Sequence, residues 1–196
     1  MDTSSEQLAI AIGKAMVGGD GTSYDAISLC QAGGHTERYA ISVLPRGFIW
    51  SATRLLDGTT QSFDPHTMTV QVDGAAQHSL SIERVPRAFP ESVQLAFPLS
   101  LPIWGRSMDS YHPAAVEING TDTTLLLRHR SDPTIFGSFT FETESGVAKS
   151  YFTPSEVRKL ERESKPDDGG IDFGFVAGIG ESLPPGMQYP TKSTQT

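Results

Sequence analysis

Three dipeptides constrain this chain more than any other feature. Asp57-Gly58, Asp73-Gly74 and Asn119-Gly120 each stand between β-prone runs. Such pairs tolerate positive φ at both central positions of a type I′ turn, whose twist matches that of two paired strands, so each predicts a β-hairpin. The period-two pattern begins at Arg38, where Tyr39, Ile41 and Val43, then Phe48, Trp50 and Ala52, alternate with their neighbours. That spacing places one set of side chains on one face of a strand. Further on, Met68, Val70 and Val72 return as Leu80 and Ile82, and Ala114, Val116 and Ile118 return as Thr123, Leu125 and Leu127. Phe139 and Phe141 return across Glu144-Ser145-Gly146 as Val147 to Phe152. About nine or ten strands in sequential order close most simply as a meander or barrel. The expected fold is mainly β: an antiparallel meander or barrel, calycin-like in outline, with short N-terminal helices and one C-terminal helix.

The helices are expected on capping signals. Thr3-Ser4-Ser5-Glu6 opens a run in which Leu8, Ile12 and Ala15 or Met16 recur at helical spacing until Gly18-Gly19, a capped amphipathic helix. Tyr24, Ile27 and Cys30 are three apart and precede Gly33-Gly34, which predicts a second helix over Thr22 to Gln31. Thr153-Pro154-Ser155-Glu156 combines an N-cap, a proline at the first helical position and a capping-box glutamate, so a third is expected to run to about Ser164. Residues 1–164 are read as a single β-barrel-like domain with flanking helices, and 165–196 as a Gly/Pro-rich C-terminal tail whose apolar stretch is Ile171 to Val176. Between the strands, Pro86, Pro90, Pro98 and Pro102 punctuate an apolar segment. Proline cannot donate to a ladder, so this segment is expected as a flap over the barrel mouth or as a strand-loop-strand on the outside.

Composition narrows the function. Fifteen Lys and Arg against 23 Asp and Glu leave a net charge of −8, which repels phosphate backbones and anionic bilayers, so neither nucleic acid nor membrane is expected as a partner. Cys30 is the only cysteine, so neither an intrachain disulfide nor a thiolate zinc site can form. None of the five histidines pairs with another at a spacing of one, three or four, so no metal is expected. Phosphate-loop, dinucleotide, nucleophile-elbow and zincin motifs do not occur in the chain, so no cofactor is expected. The first apolar run follows Asp2 and Glu6 without a basic residue, unlike a secretory leader, and a cytoplasmic protein is expected.

One polar cluster stands out. Arg106, Asp109, Tyr111 and His112 lie within seven residues, just after Trp104, and are types that move protons and hold oxyanions. In an enzyme, Tyr111 or His112 would exchange a proton, Asp109 would orient His112, and Arg106 or Arg128 would hold negative charge. Trp50 and Trp104 would line a pocket. Alternation places His129 on the Leu125 and Leu127 face and Arg128 on the other. Glu83 and Glu117 also lie in strand patterns.

Three functions fit. The first is a small-molecule protein holding an apolar metabolite in a β-barrel pocket, catalysing a cofactor-free isomerase, cyclase or lyase step by acid-base chemistry. The second is a non-catalytic carrier of the same fold. The third is a protein-interaction module that uses the C-terminal tail to reach a partner or a second copy in a homodimer.

Overall fold

The alternating runs fold as expected into one antiparallel sheet. In the computed structural model, residues 3–19, 21–64, 69–79 and 89–162 are described, all within one compact unit, Met1–Glu163. Helix α1 (Thr3–Val17) leads into β1 (Tyr24–Ala32), β2 (His35–Leu44), the 3₁₀ turn η1 (Pro45–Gly47), β3 (Ile49–Arg54), β4 (Thr60–Asp64), β5 (Thr69–Val72) and β6 (Ala75–Ser79). The second half is β7 (Tyr111–Asn119), β8 (Asp122–His129), β9 (Phe136–Glu142), β10 (Ala148–Thr153) and β11 (Glu156–Arg162). The sheet order is β6-β5-β4-β3-β2-β1-β11-β10-β9-β8-β7. Two meanders are thus joined where the first strand pairs with the last, and β6 and β7 form the ends.

Two expected helices are strands. Over Tyr24 to Gln31, Ala26, Ser28 and Cys30 are buried while Ile27 and Leu29 lie half-buried on the other side. Apolar residues on both faces hide a period of two and imitate a period of three. Gly33 and Gly34, at φ 56° and 82°, close the β1–β2 hairpin rather than stopping a helix, because both central positions of its turn need positive φ. At Thr153 the capping signal is likewise overruled. Thr153 pairs with Glu156, so Pro154 and Ser155 form a turn, where a proline's fixed φ suits the first central position. With Val157 and Leu160 as its apolar residues, the run 156–162 gains more by filling the gap between β1 and β10 than by coiling alone.

The turns show finer differences. Asp73 and Gly74 take φ 49° and 79°, as a type I′ turn requires. At the next hairpin Asn119 pairs with Asp122, so the loop is Gly120-Thr121, one residue later than expected. Leu80, Ile82, Glu83, Pro86 and the tail 165–196 lie outside the described residues.

The proline-rich segment is neither flap nor outer strand. Two further 3₁₀ turns, η2 (Gln94–Ala96) and η3 (Pro98–Ser100), carry Val93, Leu95, Ala96, Phe97, Leu101 and Ile103 into the core. Helix α1 packs on β7, β8 and η3, while η2 packs on β10 and β11. The inner face is therefore covered by chain, with Ala11 and Ala15 of the helix and Leu125, Leu127, Phe139 and Phe141 of the strands buried together. Among the described residues no helix is long and apolar enough to cross a membrane.

Candidate functional site

The loop before β7 holds the expected polar residues in a structural lock. Asp109 is 3% exposed, and one carboxylate oxygen, Oδ2, accepts from the backbone N–H of Trp104 and of Arg106, both at 3.0 Å, and from Arg106 Nε at 2.8 Å. The same guanidinium donates to the carbonyls of Leu99 at 2.8 Å and Leu101 at 2.5 Å. From β8's end, Arg130 Nη1 donates to the carbonyls of Arg106 at 2.8 Å and Ser107 at 3.0 Å. A buried carboxylate with three donors organises a loop whose backbone would otherwise go unpaired.

The acid-base set is divided between the two faces of the sheet. Tyr111 is buried, and its ring meets that of His129 edge-on at 5.1 Å. His112, next along the strand, takes the opposite face and pairs in register with Arg128. Arg128 is exposed, with its guanidinium 6.0 Å from the Phe136 ring centre. His129 Nδ1 accepts from the Asp132 N–H at 3.2 Å, a structural bond that puts the neutral ring's proton on Nε2. Asp109's carboxylate thus serves Arg106 and backbone, not His112. The tryptophans separate too. Trp104 donates from Nε1 to the Pro98 carbonyl at 2.9 Å and leans edge-on against Phe139, whereas Trp50 is buried on β3, five strands from β9 in the sheet order.

Two groupings are not apparent from the sequence. The first is a cross-strand row on the inner face, Glu37–Cys30–Arg158–Tyr151–Phe139, one residue from each of β2, β1, β11, β10 and β9. Its polar half meets the start of the proline-rich segment. Cys30 Sγ donates to the Glu91 carbonyl at 3.3 Å, and Arg158 Nη2 lies 3.8 Å from Glu91 Oε1 and bonds Glu156. Arg158 is 6% exposed and Ser92 4%. Arg158 Nη1 and Ser92 Oγ have no hydrogen-bond partner among the described residues, and neither has Trp50 Nε1. Burial pushes the Cys30 thiol and the Tyr151 phenol above their ordinary ranges, and the Glu156 carboxylate adds to the shift at Tyr151. Tyr24 is pushed up to about 12, also by burial.

These tyrosines set the alkaline limit. A phenol whose folded pKa is raised stabilises the fold fully below the unfolded value near 10, and the contribution is lost as pH climbs through the folded value. For Tyr24, that difference corresponds to a loss of roughly 3 kcal/mol. Urea midpoints should therefore fall steeply from pH 10 to 12, and the phenolate absorbance of these tyrosines should appear together with unfolding rather than before it. A flat midpoint over that window would show the phenols to be solvated.

The second grouping is aromatic. Phe89 and Phe97 stack with ring centres 4.0 Å apart and planes within 12°. Phe48 lies against both, at 6.3 and 6.1 Å and within 23° and 17°. It ends η1 in the left-handed region, at φ 53° and ψ 23°, a conformation that costs a residue with a Cβ about 1–2 kcal/mol. The strained backbone belongs to a residue that is 49% exposed. In sequence Phe48 reads only as a strand residue, because a positive φ outside Gly and Asn leaves no trace there.

No family model matches the chain, and no curated protein matches it. Among solved structures it resembles MucB in complex with MucA(peri), with 13% identity, 83% of this chain and 57% of that chain covered, and a TM-score of 0.36. MucB alone gives 12% identity, 92% and 69% coverage and a TM-score of 0.44. An uncharacterized conserved protein from Thermus thermophilus gives 8% identity, 96% and 95% coverage and a TM-score of 0.41. The chain thus spans little more than half of the first of these. All three TM-scores lie below 0.5 and all three identities below 25%.

Proposed function

We propose that this chain is a non-catalytic binding module that takes an apolar group against the Phe48, Phe89 and Phe97 stack. The observation that carries this reading is the left-handed, half-exposed Phe48. Backbone strain in a bulky residue persists only where the surroundings enforce it, and such positions cluster at ligand clamps. Here the strain holds a half-exposed phenylalanine beside two near-parallel rings, so a flat apolar group can pack against its open side. The ligand rests at the stack rather than inside a barrel, because α1 and the proline-rich segment occupy the inner face. A catalytic reading is weaker, since Tyr111 and His112 face apart and Asp109 is engaged elsewhere.

Phe48→Gly tests the reading. Glycine removes the left-handed penalty of about 1–2 kcal/mol. Losing a half-exposed ring costs about 1–1.5 kcal/mol, half the transfer value of a buried phenylalanine. Stability should therefore change little, against about 3–5 kcal/mol for deleting a core phenylalanine. Affinity for N-phenyl-1-naphthylamine, followed by fluorescence, should fall about tenfold, the value of one good stacking contact. Unchanged dye affinity together with a melting temperature lowered as for a core deletion would make Phe48 a packing residue and sink the proposal.

A further inference from the structure

We infer that the outer face of β8 to β11 is a docking surface for an extended acidic peptide that carries large apolar side chains. Strand register builds this surface. Leu126 on β8 pairs with Ser138 on β9, Ser138 with Phe152 on β10, Phe152 with Val157 on β11, and Val157 with Gln31 on β1. Their chain neighbours Leu125, Phe139, Tyr151 and Arg158 are buried in the inner face, so this row faces out. Leu126 is 41% exposed and Phe152 48%, and Phe136, two residues before Ser138 on the same face, is 53% exposed. Exposed apolar residues scattered singly need no explanation, but gathered around one serine they form a patch of the kind that marks an interaction site. Strands lie about 4.8 Å apart, so the row from Leu126 to Gln31 runs about 19 Å, the length of about six extended residues.

Charge selects the occupant. Arg128 follows Leu126 by two residues on β8, and Lys159 follows Val157 by two on β11. Because β8 and β11 run in opposite directions, these cations flank the row on opposite sides, each about 7 Å from it along its strand. From Lys159 the register continues through Leu29 to Arg38 on β2. Arg128, Lys159 and Arg38 are all exposed, and none of them is ion-paired among the described residues. In a chain of net charge −8, cations left unpaired beside an apolar row complement the carboxylates of a partner. The same face also carries Glu117 on β7 and Glu161 two residues beyond Lys159. A flat anionic bilayer would press against both, whereas a single chain lying along the row passes between them.

The test is calorimetric titration of the full chain with a heptapeptide of alternating glutamate and phenylalanine. The native chain should bind it, less tightly as salt rises. Arg128→Glu combined with Lys159→Glu should weaken binding about tenfold, the worth of two or three exposed ion pairs. Leu126→Ser combined with Phe152→Ser should weaken it about as much, through apolar area left unburied. All four residues are exposed, so melting temperatures should stay near native; should the serine variant not fold, the charge variant decides. Phe48→Gly should leave this binding unchanged, which separates the surface from the phenylalanine stack. The inference falls if the peptide does not bind, if its lysine-for-glutamate counterpart binds as tightly, or if Phe48→Gly abolishes binding that the charge variant keeps. It falls equally to another occupant. Phosphatidylglycerol vesicles that sediment the native chain but not the charge variant would make the face a lipid surface. A native dimer that the serine variant converts to monomer on size exclusion would make it an interface between copies.

Discussion

A chain ended after Ser155 should not fold cooperatively. The residues removed form β11, which pairs with β1 from Ala26↔Arg162 to Ala32↔Glu156 and with β10 from Ser150↔Lys159 to Thr153↔Glu156. Together with β1, it makes the one described seam between the two meanders. Its loss takes about ten ladder hydrogen bonds, each worth about 1 kcal/mol net. Buried Leu160 and Arg158 go with it. That sum reaches the 5–15 kcal/mol typical of a whole domain. Near-ultraviolet circular dichroism from Trp50 and Trp104 should flatten and the thermal transition should disappear. A cooperative transition within a few degrees of the native one would show that the meanders associate without β11.

Asp109→Ala should destabilise by about 3 kcal/mol, because two backbone donors and the Arg106 Nε lose one buried acceptor. Arg106 is about a third exposed, so water recovers part of its loss and keeps the figure below that of a fully buried pair. Asp109→Asn keeps the shape and an acceptor oxygen and should cost about half as much. Chemical denaturation measures both. A catalytic carboxylate would give another pattern: its removal would leave stability intact or raise it. Alanine and asparagine variants as stable as the native chain would remove the lock from the account of this loop.

Much of the sheet can be read from the sequence because its signals are local. Asp73-Gly74 sets a turn through two φ values, and Leu125 and Leu127 declare an inward face through their spacing. What is not legible depends on distant partners. Tyr24 to Gln31 and Thr153 to Ser164 carry respectable helical signals, and β1 and β11 form there instead, at the junction of the two meanders, because a paired neighbour stands on both sides. The site is hidden for a similar reason. Arg106 to His112 is dense along the chain, but a strand sends consecutive residues to opposite faces, so nearness in sequence separates Tyr111 from His112. Cys30, Arg158 and Tyr151 are spread over more than a hundred residues and meet only through strand register. Phe48 is concealed because the strain that sets it apart exists only once Pro45–Gly47 has turned.

The joining of first strand to last also shapes the birth of the protein. At about 5–20 residues per second, the roughly 120 residues between Ala32 and Glu156 take on the order of 6–25 s to synthesise. Throughout that interval β1 can pair with β2 while its other edge, which β11 will occupy, has nothing to bond. An open inner strand is a template for any extended chain nearby, including a neighbouring nascent copy. Closing so distant a contact is slow even when the whole chain is present. The ribosome-bound β1–β6 half is thus the stage at which the β1 edge stands open, and a synonymous change that slows translation before Glu156 lengthens that exposure without altering a single residue.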